Sequence, residues 1–230
     1  MCGIVGYIGD KPVYDILING LKKLEYRGYD SSGVMIYSDK SLIKKSKGKV
    51  SALENLFSNE KDKNGTIGIG HTRWATHGPP NQVNSHPHIS NSGEISLVHN
   101  GIIENYDSIK KILIKKGYTF SSDTDSEVLV NLIEDIKKTK KVKLGKAVYF
   151  ALKQVVGAYA IVVFDSTNPK ELVAARLGSP LAIGVGESEY YFGSDATPFL
   201  EFTKRCVYLN DNEMAIVNLK KGLTLREIKK

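Results

Sequence analysis

The order of apolar and polar residues divides this sequence into a mixed first part, a helical middle and a strand-rich last part. In the first part a helix is predicted over residues 12–24, because Val13, Ile16, Leu17 and Leu21 recur at helical spacing. The apolar runs around this helix predict strands at residues 3–8, 33–37, 42–45, 66–72 and 94–99.

The middle of the chain predicts helices, and the remainder predicts strands. Helices are expected at residues 106–116, 124–138 and 144–155, with Ser122 and Asp123 placed where an N-cap of the second helix belongs. Seven strands are then expected at residues 158–165, 171–176, 181–186, 190–194, 206–210, 213–218 and 223–228. Several of these are continuous apolar runs, which indicates that both of their faces are covered.

This order of elements favours one fold class. Strands and helices do not alternate strictly, so a doubly wound parallel sheet is not expected. We predict an α+β fold, a four-layer αββα sandwich in which two antiparallel sheets lie between helical layers. The sequence shows no linker, repeat or low-complexity tract, and its last predicted strand ends two residues before the end. Residues 1–230 are therefore expected to form one complete domain.

Composition and charge narrow the possible partners. The chain is 41% hydrophobic and 25% charged, an ordinary globular balance, and its net charge of +7 comes from 27 Lys and 5 Arg. The lysine pairs are dispersed, and arginine, the usual reader of bases and phosphates, is scarce, so no nucleic-acid partner is expected. No apolar run approaches the roughly 20 residues of a membrane span. Cys2 and Cys206 cannot form a disulfide framework, which predicts a cytoplasmic location.

One window of the sequence concentrates unusual residues. All five histidines and the single tryptophan lie between residues 71 and 99. Either a metal site or a set of hydrogen-bonded polar loop residues would explain this cluster, although the histidine spacings match no standard zinc pattern. Phosphate-binding, dinucleotide-binding and zinc-protease motifs are missing from the sequence, so neither a cofactor nor a metal is expected.

Cys2 is the second unusual feature. It directly follows Met1, and its small side chain favours removal of that methionine. The chain would then begin with an amine and a thiol on one residue, and an α-amino group with a pKa near about 8 can serve as base for its own thiol. The alternative is an inert cysteine at the start of a core strand. The flanking Gly3 favours the first interpretation, because it allows another backbone to approach closely.

Five segments, taken in order, carry a resemblance to a known family. They are CGIVG at 2–6, EYRGYDS at 25–31, HTRWATHG at 71–78, HNGIIEN at 99–105 and SDTDSEV at 122–128, together with HPH at 86–88. In this order they resemble the glutaminase domain of glucosamine-6-phosphate synthases, which are class II, Ntn-type glutamine amidotransferases. The resemblance covers essentially the whole chain. It implies a single glutamine amidotransferase type-2 domain over residues 1–230 with an Ntn-hydrolase-like fold.

The resemblance implies which residues carry out the chemistry. Cys2 matches the nucleophile that attacks the side-chain amide of glutamine, forming a γ-glutamyl thioester and releasing ammonia. Asn100 and Gly101 match the oxyanion hole, which stabilises the charge that develops on the amide oxygen. By its pattern alone this Asn-Gly pair is typical of a tight hairpin turn, so the pattern and the resemblance disagree here.

The resemblance also implies which residues bind the substrate. Glutamine is a zwitterion, and Arg73 matches the clamp for its α-carboxylate, since a planar guanidinium suits a carboxylate. Asp125 matches the acceptor of the α-ammonium group, with Asp123 as the competing candidate by spacing. Thr76 and His77 match neighbouring substrate contacts.

Three further matches are supporting residues. Arg27 and Gly28 match a loop that packs beside the N-terminal cysteine, and Trp74 matches a residue at the mouth of an ammonia channel. Arg27 and Gly28 are expected to orient the site rather than to take part in the chemistry, and by its pattern alone Trp74 would be predicted to lie in the core.

The resemblance finally implies a function for the chain and for the longer enzyme. The synthase part that binds and isomerises fructose-6-phosphate is absent from these 230 residues, so this chain is expected to hydrolyse L-glutamine. In the full synthase, expected to be a homo-oligomer, the ammonia would aminate fructose-6-phosphate to glucosamine-6-phosphate. Two alternatives stay open, a glutaminase domain of another class II amidotransferase and a metal-dependent hydrolase that uses the histidines of residues 71–99.

Overall fold

Two antiparallel sheets form the centre of the structure, and each has helices on its outer face. The computed structural model describes residues 2–60, 63–74 and 78–229. The strands are β1 (Gly3–Ile8), β2 (Ser31–Tyr37), β3 (Ser41–Lys47), β4 (Ile67–Arg73), β5 (His88–Ile89), β6 (Ile95–Ile103), β7 (Gly157–Asp165), β8 (Glu171–Leu177), β9 (Ala182–Val185), β10 (Tyr190–Gly193), β11 (Cys206–Tyr208), β12 (Glu213–Asn218) and β13 (Gly222–Glu227). The helices are α1 (Val13–Leu24), α2 (Val50–Asn55), α3 (Tyr106–Lys115), α4 (Asp125–Lys140) and α5 (Leu144–Leu152), and a 3₁₀ turn covers Glu25–Arg27.

The strand order places the first strand in the middle of its sheet. The first sheet runs β11-β9-β10-β1-β4-β2-β3, and the second runs β13-β12-β8-β7-β6-β5. In the first sheet, β1 pairs with β4 so that Gly3 faces Thr72 and Ile4 faces His71. In the second sheet, β6 pairs with β7 so that Asn100 faces Ala160. The start of β1 and the end of β4 therefore lie side by side.

Apolar side chains fill the space between the two sheets and explain the continuous apolar runs. In β7, Val162 and Phe164 point into the layer between the sheets, where they pack with Ile4 of β1 and Val98 of β6. Burial of one such side chain contributes roughly 1.5–3 kcal/mol. Because the neighbouring residues of β7 point the other way, this strand is apolar on both faces.

The outer faces of the sheets are covered by helices. Ile161 and Val163 of β7 pack in a second apolar layer with α3, α4 and α5. On the first sheet, Val5 and Tyr7 of β1 pack in a third layer with α1 and α2. Three apolar layers between four layers of secondary structure confirm the predicted αββα sandwich.

Most predicted elements are present, and the differences have physical causes. All seven strands predicted after residue 157 are found, as are the four predicted helices. The one-turn-and-a-half helix α2 and the two-residue strand β5 were not predicted, because segments this short carry too few residues to show a period. The N-cap of α4 is Thr124, whose side chain accepts a hydrogen bond from the Glu127 amide, rather than Ser122 or Asp123.

Among the described residues, no helix combines the length and the apolar character that crossing a membrane requires.

Candidate active site

A cavity of about 340 Å³ opens where one end of β1 and β4 meets β6 of the other sheet. Residues from both sheets, the first turn of α4 and the loop after β8 surround it. They are Cys2, Arg27, Arg73, Trp74, His86, His99, Asn100, Gly101, Ile102, Thr124, Asp125, Ser126, Ser179 and Pro180. The fold therefore brings together residues that are separated by more than a hundred positions in the sequence.

The nucleophile candidate, Cys2, is held in this cavity by the backbone of Trp74. The amide of Trp74 donates a hydrogen bond to Cys2 Sγ at 3.2 Å, and the thiol donates to the Trp74 carbonyl at 3.4 Å. Within the described part of the chain, no imidazole or carboxylate hydrogen-bonds to Sγ. Burial raises the pKa of the Cys2 thiol above its ordinary value. The thiol therefore needs a base before it can act as a nucleophile at neutral pH.

Asn100 and Gly101 lie beside Cys2 within a continuous strand. Both belong to β6, which continues to Ile103. The hairpin turn predicted from the Asn-Gly pattern is therefore wrong. The side-chain amide of Asn100 donates to the Cys2 carbonyl at 3.1 Å. Gly101 has a φ of +132°, and a Cβ there would lie 2.1 Å from the Ala158 carbonyl oxygen. A residue with a side chain cannot occupy this position without moving the strand.

Arg73 brings a buried positive charge to the cavity. It is the last residue of β4, and its side chain is 5% exposed. Its guanidinium donates to the backbone carbonyls of Gly78 and Pro79, both at 3.3 Å, and lies 3.9 Å from the Asp30 carboxylate. These contacts hold a planar, double-donor group at the cavity wall, which suits a carboxylate ligand.

Asp125 brings a buried negative charge to the same cavity. It begins α4, and its Oδ2 accepts a hydrogen bond from the Ile103 amide at 2.7 Å. A carboxylate at a helix N-terminus is stabilised by the helix dipole. The competing candidate, Asp123, is exposed, bonds to Asn84 and does not line the cavity. The geometry therefore favours Asp125 over Asp123 as an acceptor for a bound ammonium group.

The supporting residues surround Cys2 from the side of the 3₁₀ turn. Arg27 donates through Nε to the Cys2 carbonyl at 3.3 Å and forms an ion pair with Asp195 at 3.1 Å. Gly28 has a φ of +109°, and a Cβ there would lie 2.6 Å from the ring of Trp74. The Trp74 side chain is 55% exposed and lines the cavity. Its exposure at the rim contradicts a role in the core.

Four of the five histidines form a buried cluster at the wall of the cavity. The ring of His86 lies between those of His71 and His88, with centroid distances of 4.1 and 4.6 Å. Burial holds the pKa of His86 and of His88 well below 6.5. Among the residues that the structure describes, no three His, Cys, Asp or Glu side chains are grouped to hold a metal ion.

Hydrogen bonds connect this cluster to the first turn of α4. The hydroxyl of Ser126 lies 2.8 Å from His99 Nδ1 and 3.0 Å from His86 Nε2, and that of Thr124 lies 2.9 Å from His88 Nε2. Hydrogen bonds thus account for these imidazoles, but the prediction of loop residues is wrong for three of the four, since His71, His88 and His99 lie on strands β4, β5 and β6.

Part of the cavity wall was not predicted from the sequence, and two of the predicted residues lie outside the described part of the chain. Thr76 and His77 lie outside the described residues, so their expected substrate contacts stay predictions. Ser179 and Pro180 line the cavity but lie outside every motif, whereas Ser126 lies within SDTDSEV and was given no role. A Gly-Ser-Pro turn between two predicted strands was the available signal for Ser179 and Pro180.

Comparison with known proteins adds a family match. A family model described as a glutamine amidotransferase domain matches residues 56–224.

Curated relatives match almost the whole chain. A glutamine–fructose-6-phosphate aminotransferase (isomerizing) of Bacteroides thetaiotaomicron is 56% identical over 230 residues, which cover 99% of this chain and 37% of that protein. Proteins of the same name from Clostridium perfringens and Pyrococcus horikoshii are 49% and 46% identical, over 98% and 99% of this chain and 36% and 38% of their own lengths. The chain therefore spans little more than a third of the curated relatives it matches.

Solved structures share the fold. Glutamine phosphoribosylpyrophosphate amidotransferase from B. subtilis, complexed with ADP and GMP, matches with a TM-score of 0.81 and 28% identity, over 99% of this chain and 49% of its own. A glutamine aminotransferase class-II domain protein from Silicibacter pomeroyi matches with a TM-score of 0.68 and 15% identity, over the full length of both chains. At that identity the second match shows the fold alone.

Proposed function

This chain belongs to the glutamine amidotransferase family, and from that premise we propose that its cavity hydrolyses L-glutamine to L-glutamate and ammonia. One observation carries the proposal. A thiol, the Asn100 and Gly101 pair, a guanidinium and a carboxylate line the same 340 Å³ cavity. The thiol can attack an amide, the Asn100 and Gly101 pair can stabilise an oxyanion, and the two charged groups can bind a zwitterion.

Binding of glutamine uses the two buried charges. The α-carboxylate pairs with Arg73, and the α-ammonium group pairs with Asp125, which the Ile103 amide already holds in place. Because the two charged partners have opposite signs, only one orientation of the substrate satisfies both. The side-chain amide then extends toward Cys2.

The first half of the reaction forms a covalent intermediate. Sγ of Cys2 attacks the amide carbon, and the electron pair of the C=O bond moves to oxygen, where Asn100 and Gly101 donate hydrogen bonds. When the C=O bond re-forms, the C–N bond breaks. The nitrogen takes up the proton that left the thiol and departs as ammonia, leaving a γ-glutamyl thioester on Cys2.

The second half of the reaction releases glutamate. Water loses a proton to the base and attacks the thioester carbon through a second oxyanion. The C–S bond then breaks, Sγ recovers a proton, and glutamate leaves.

The base in both halves is the α-amino group of Cys2, in a chain from which Met1 has been removed. Within the described residues no imidazole or carboxylate hydrogen-bonds to Sγ, and burial makes the thiol a weaker acid. An amine on the same residue is within reach of Sγ by covalent geometry. With an ordinary pKa near about 8, it is partly neutral at physiological pH.

For the longer protein we propose the activity that the names of its relatives describe. The ammonia would aminate fructose-6-phosphate, in the part of those proteins that extends beyond the region matched here. Residues 1–230 would form one glutamine amidotransferase type-2 domain. A cytoplasmic location suits a nucleophilic thiol, which must stay reduced. A homo-oligomeric full enzyme stays a prediction.

Covalent labelling tests the proposed function directly. The protein is incubated with an electrophilic analogue of glutamine and analysed by intact-mass and peptide mass spectrometry. We expect one label on Cys2, loss of glutaminase activity in step with labelling, and protection by L-glutamine. A label on Cys206 alone, or loss of activity without a label on Cys2, would contradict the proposal.

A further inference from the structure

His71 makes two hydrogen bonds through one nitrogen, and one of them reaches Asn100. Its Nε2 lies 3.0 Å from the backbone carbonyl oxygen of His99 and 2.8 Å from Oδ1 of Asn100. The side chain is fully buried on β4. It therefore contacts the neighbouring sheet at Asn100, the first residue of the candidate oxyanion hole.

The two partners determine where the imidazole proton lies. A carbonyl oxygen and an amide oxygen can only accept, so Nε2 must carry the hydrogen and donate to both. Burial lowers the pKa of His71 to about 3, so the ring stays neutral at ordinary pH. His71 is thus a fixed donor with no proton to exchange.

The opposite side of the Asn100 amide is also occupied. Its Nδ2 donates to the Cys2 carbonyl oxygen at 3.1 Å. Rotating the amide by half a turn would place its NH₂ group against the Nε2–H of His71 and its oxygen against the Cys2 carbonyl. Both contacts would then be repulsive, so the donor from β4 selects one of the two orientations.

A second ring supports this arrangement. The His86 ring packs against that of His71 with a centroid distance of 4.1 Å and a tilt of 35°, and its own Nε2 is hydrogen-bonded to Ser126 at 3.0 Å. The plane of the His71 ring is therefore held by packing against a neighbour that is itself anchored on α4.

We propose that His71 is a positioning residue that holds the Asn100 carboxamide with its NH₂ group directed toward Cys2, as an oxyanion donor must be. This inference rests on the proposed function, in which Asn100 stabilises the oxyanion. His71 does not touch the substrate. It acts through Asn100, on a charge that exists only while the amide or the thioester is under attack.

This role predicts a particular kinetic signature. Loss of one oxyanion donor typically lowers kcat by about 10²–10³-fold, and loss of its orienting partner cannot exceed that effect. His71→Leu is therefore expected to lower kcat by about 10-fold or more while the KM for glutamine changes little. Since His71 does not titrate in the working range, the shape of the pH profile should stay unchanged.

Four variants test the proposal by glutaminase kinetics, with Cys2→Ala as a separate check on the proposed function. His71→Gln can place an amide N–H near the position of Nε2 and should recover most of the kcat lost in His71→Leu. His71→Asn is too short to reach Asn100 and should not. His88→Leu removes another buried ring of the same cluster that does not contact Asn100, and it should lower kcat less than His71→Leu.

The deciding measurement is a double-mutant cycle. In an Asn100→Ala background, His71→Leu should produce little further loss of kcat, because its target is already gone. Equal losses in both backgrounds, or a rise in KM at constant kcat, would overturn the positioning role. If His71→Leu does not fold, the comparison of His71→Gln with His71→Asn decides, and equal kcat in those two would overturn it. Activity that survives Cys2→Ala would instead show that the proposed function is wrong.

Discussion

The cavity contains two regions that the fold builds in different ways. The reaction region comprises Cys2, Asn100 and Gly101, and the anchoring region comprises Arg73 and Asp125. The reaction region consists of neutral groups on β6 and at the residue before β1, held by contacts between backbone and side chain. The anchoring region consists of two full charges at the end of a strand and the start of a helix, held by backbone carbonyls and an amide.

This difference separates catalysis from binding. Under the proposed function, the reaction region meets a charge that exists only during the reaction, so damage there should appear in kcat. Under the same proposal, the anchoring region meets charges that the substrate carries from the beginning, so damage there should appear in KM. The following changes test that division, beginning with the largest expected effect.

Replacing the nucleophile should abolish the reaction. Cys2→Ala removes the atom that forms the thioester, and no other thiol lines the cavity among the described residues. Cys206→Ala is the matched control, because Cys206 is a half-buried cysteine on β11 whose loss should leave most of the glutaminase activity. Ammonia release by both variants at saturating glutamine is the measurement. Substantial turnover by Cys2→Ala would show that Cys2 is not the nucleophile and that the reaction region is wrongly assigned.

Blocking the amine should be nearly as damaging as removing the thiol. With Met1 retained, the nitrogen of Cys2 is an amide, which cannot accept a proton. General-base catalysis is typically worth about 10²–10⁴-fold, and that contribution should be lost from kcat/KM.

The amine test compares processed and unprocessed forms of one protein, each verified by intact mass. Equal kcat/KM in the two forms would show that another group deprotonates the thiol. His77 would then be the next residue to replace.

Neutralising the anchoring region should raise KM more than it lowers kcat. Arg73→Gln and Asp125→Asn each leave one charge of the bound zwitterion without its partner, at a cost of about 2–3 kcal/mol, or about 30–150-fold in KM. Asp123→Asn is the control, since Asp123 is exposed and outside the cavity. Steady-state kinetics with glutamine measure the effect. If Asp123→Asn raised KM and Asp125→Asn did not, the ammonium site would have to be reassigned.

Mild acid should destabilise the histidine cluster that adjoins both regions. Burial lowers the pKa of His71 to about 3 and that of His86 and His88 well below 6.5. Below pH 6.5 the unfolded chain therefore binds protons that the folded chain excludes. Their contribution to stability is complete above pH 6.5 and decreases below it, by up to about 1.4 kcal/mol per pH unit for each histidine, and for His71 this decrease continues to about pH 3.

Urea unfolding between about pH 7.5 and pH 5.5, where most carboxylates stay ionised, measures this slope. His88→Gln can keep a hydrogen bond to Thr124 but cannot titrate, so its slope should be smaller than that of the unmodified protein. An unchanged slope in this variant would show that His88 does not contribute to the acid sensitivity.

Local pattern was enough for most of the fold. The strand–helix–strand order and the apolar runs on both faces of β7 predict layered antiparallel sheets, because side-chain direction alternates along a strand whatever its neighbours are. The short elements α2 and β5 were not predicted. They form through contacts with the rest of the protein rather than through a periodic pattern of apolar residues in their own sequence.

The site could be predicted in its composition but not in its arrangement. Ordered motifs named Cys2, Asn100, Gly101, Arg73 and Asp125, all of which line the cavity. Pattern alone interpreted Asn100 and Gly101 as a turn. The strand forms instead of the turn because nine residues of β6 pair continuously with β7 through this point. Spacing alone left Asp123 as a competitor, and the match to the family motif favoured Asp125. The structure adds the physical difference at the helix start, where Asp125 is buried and Asp123 is exposed.

The sequence by itself determined the classes of group available to the chemistry, namely a thiol beside the first residue, scarce arginines, acids at a helix start and histidines within residues 71–99. Tertiary structure decided which of them meet. His71 and Asn100 are 29 positions apart in the chain and belong to different sheets, yet the packing of β4 against β6 places them 2.8 Å apart. The register of strand pairs and the packing of sheets set such distances, and both depend on contacts between residues far apart in the chain.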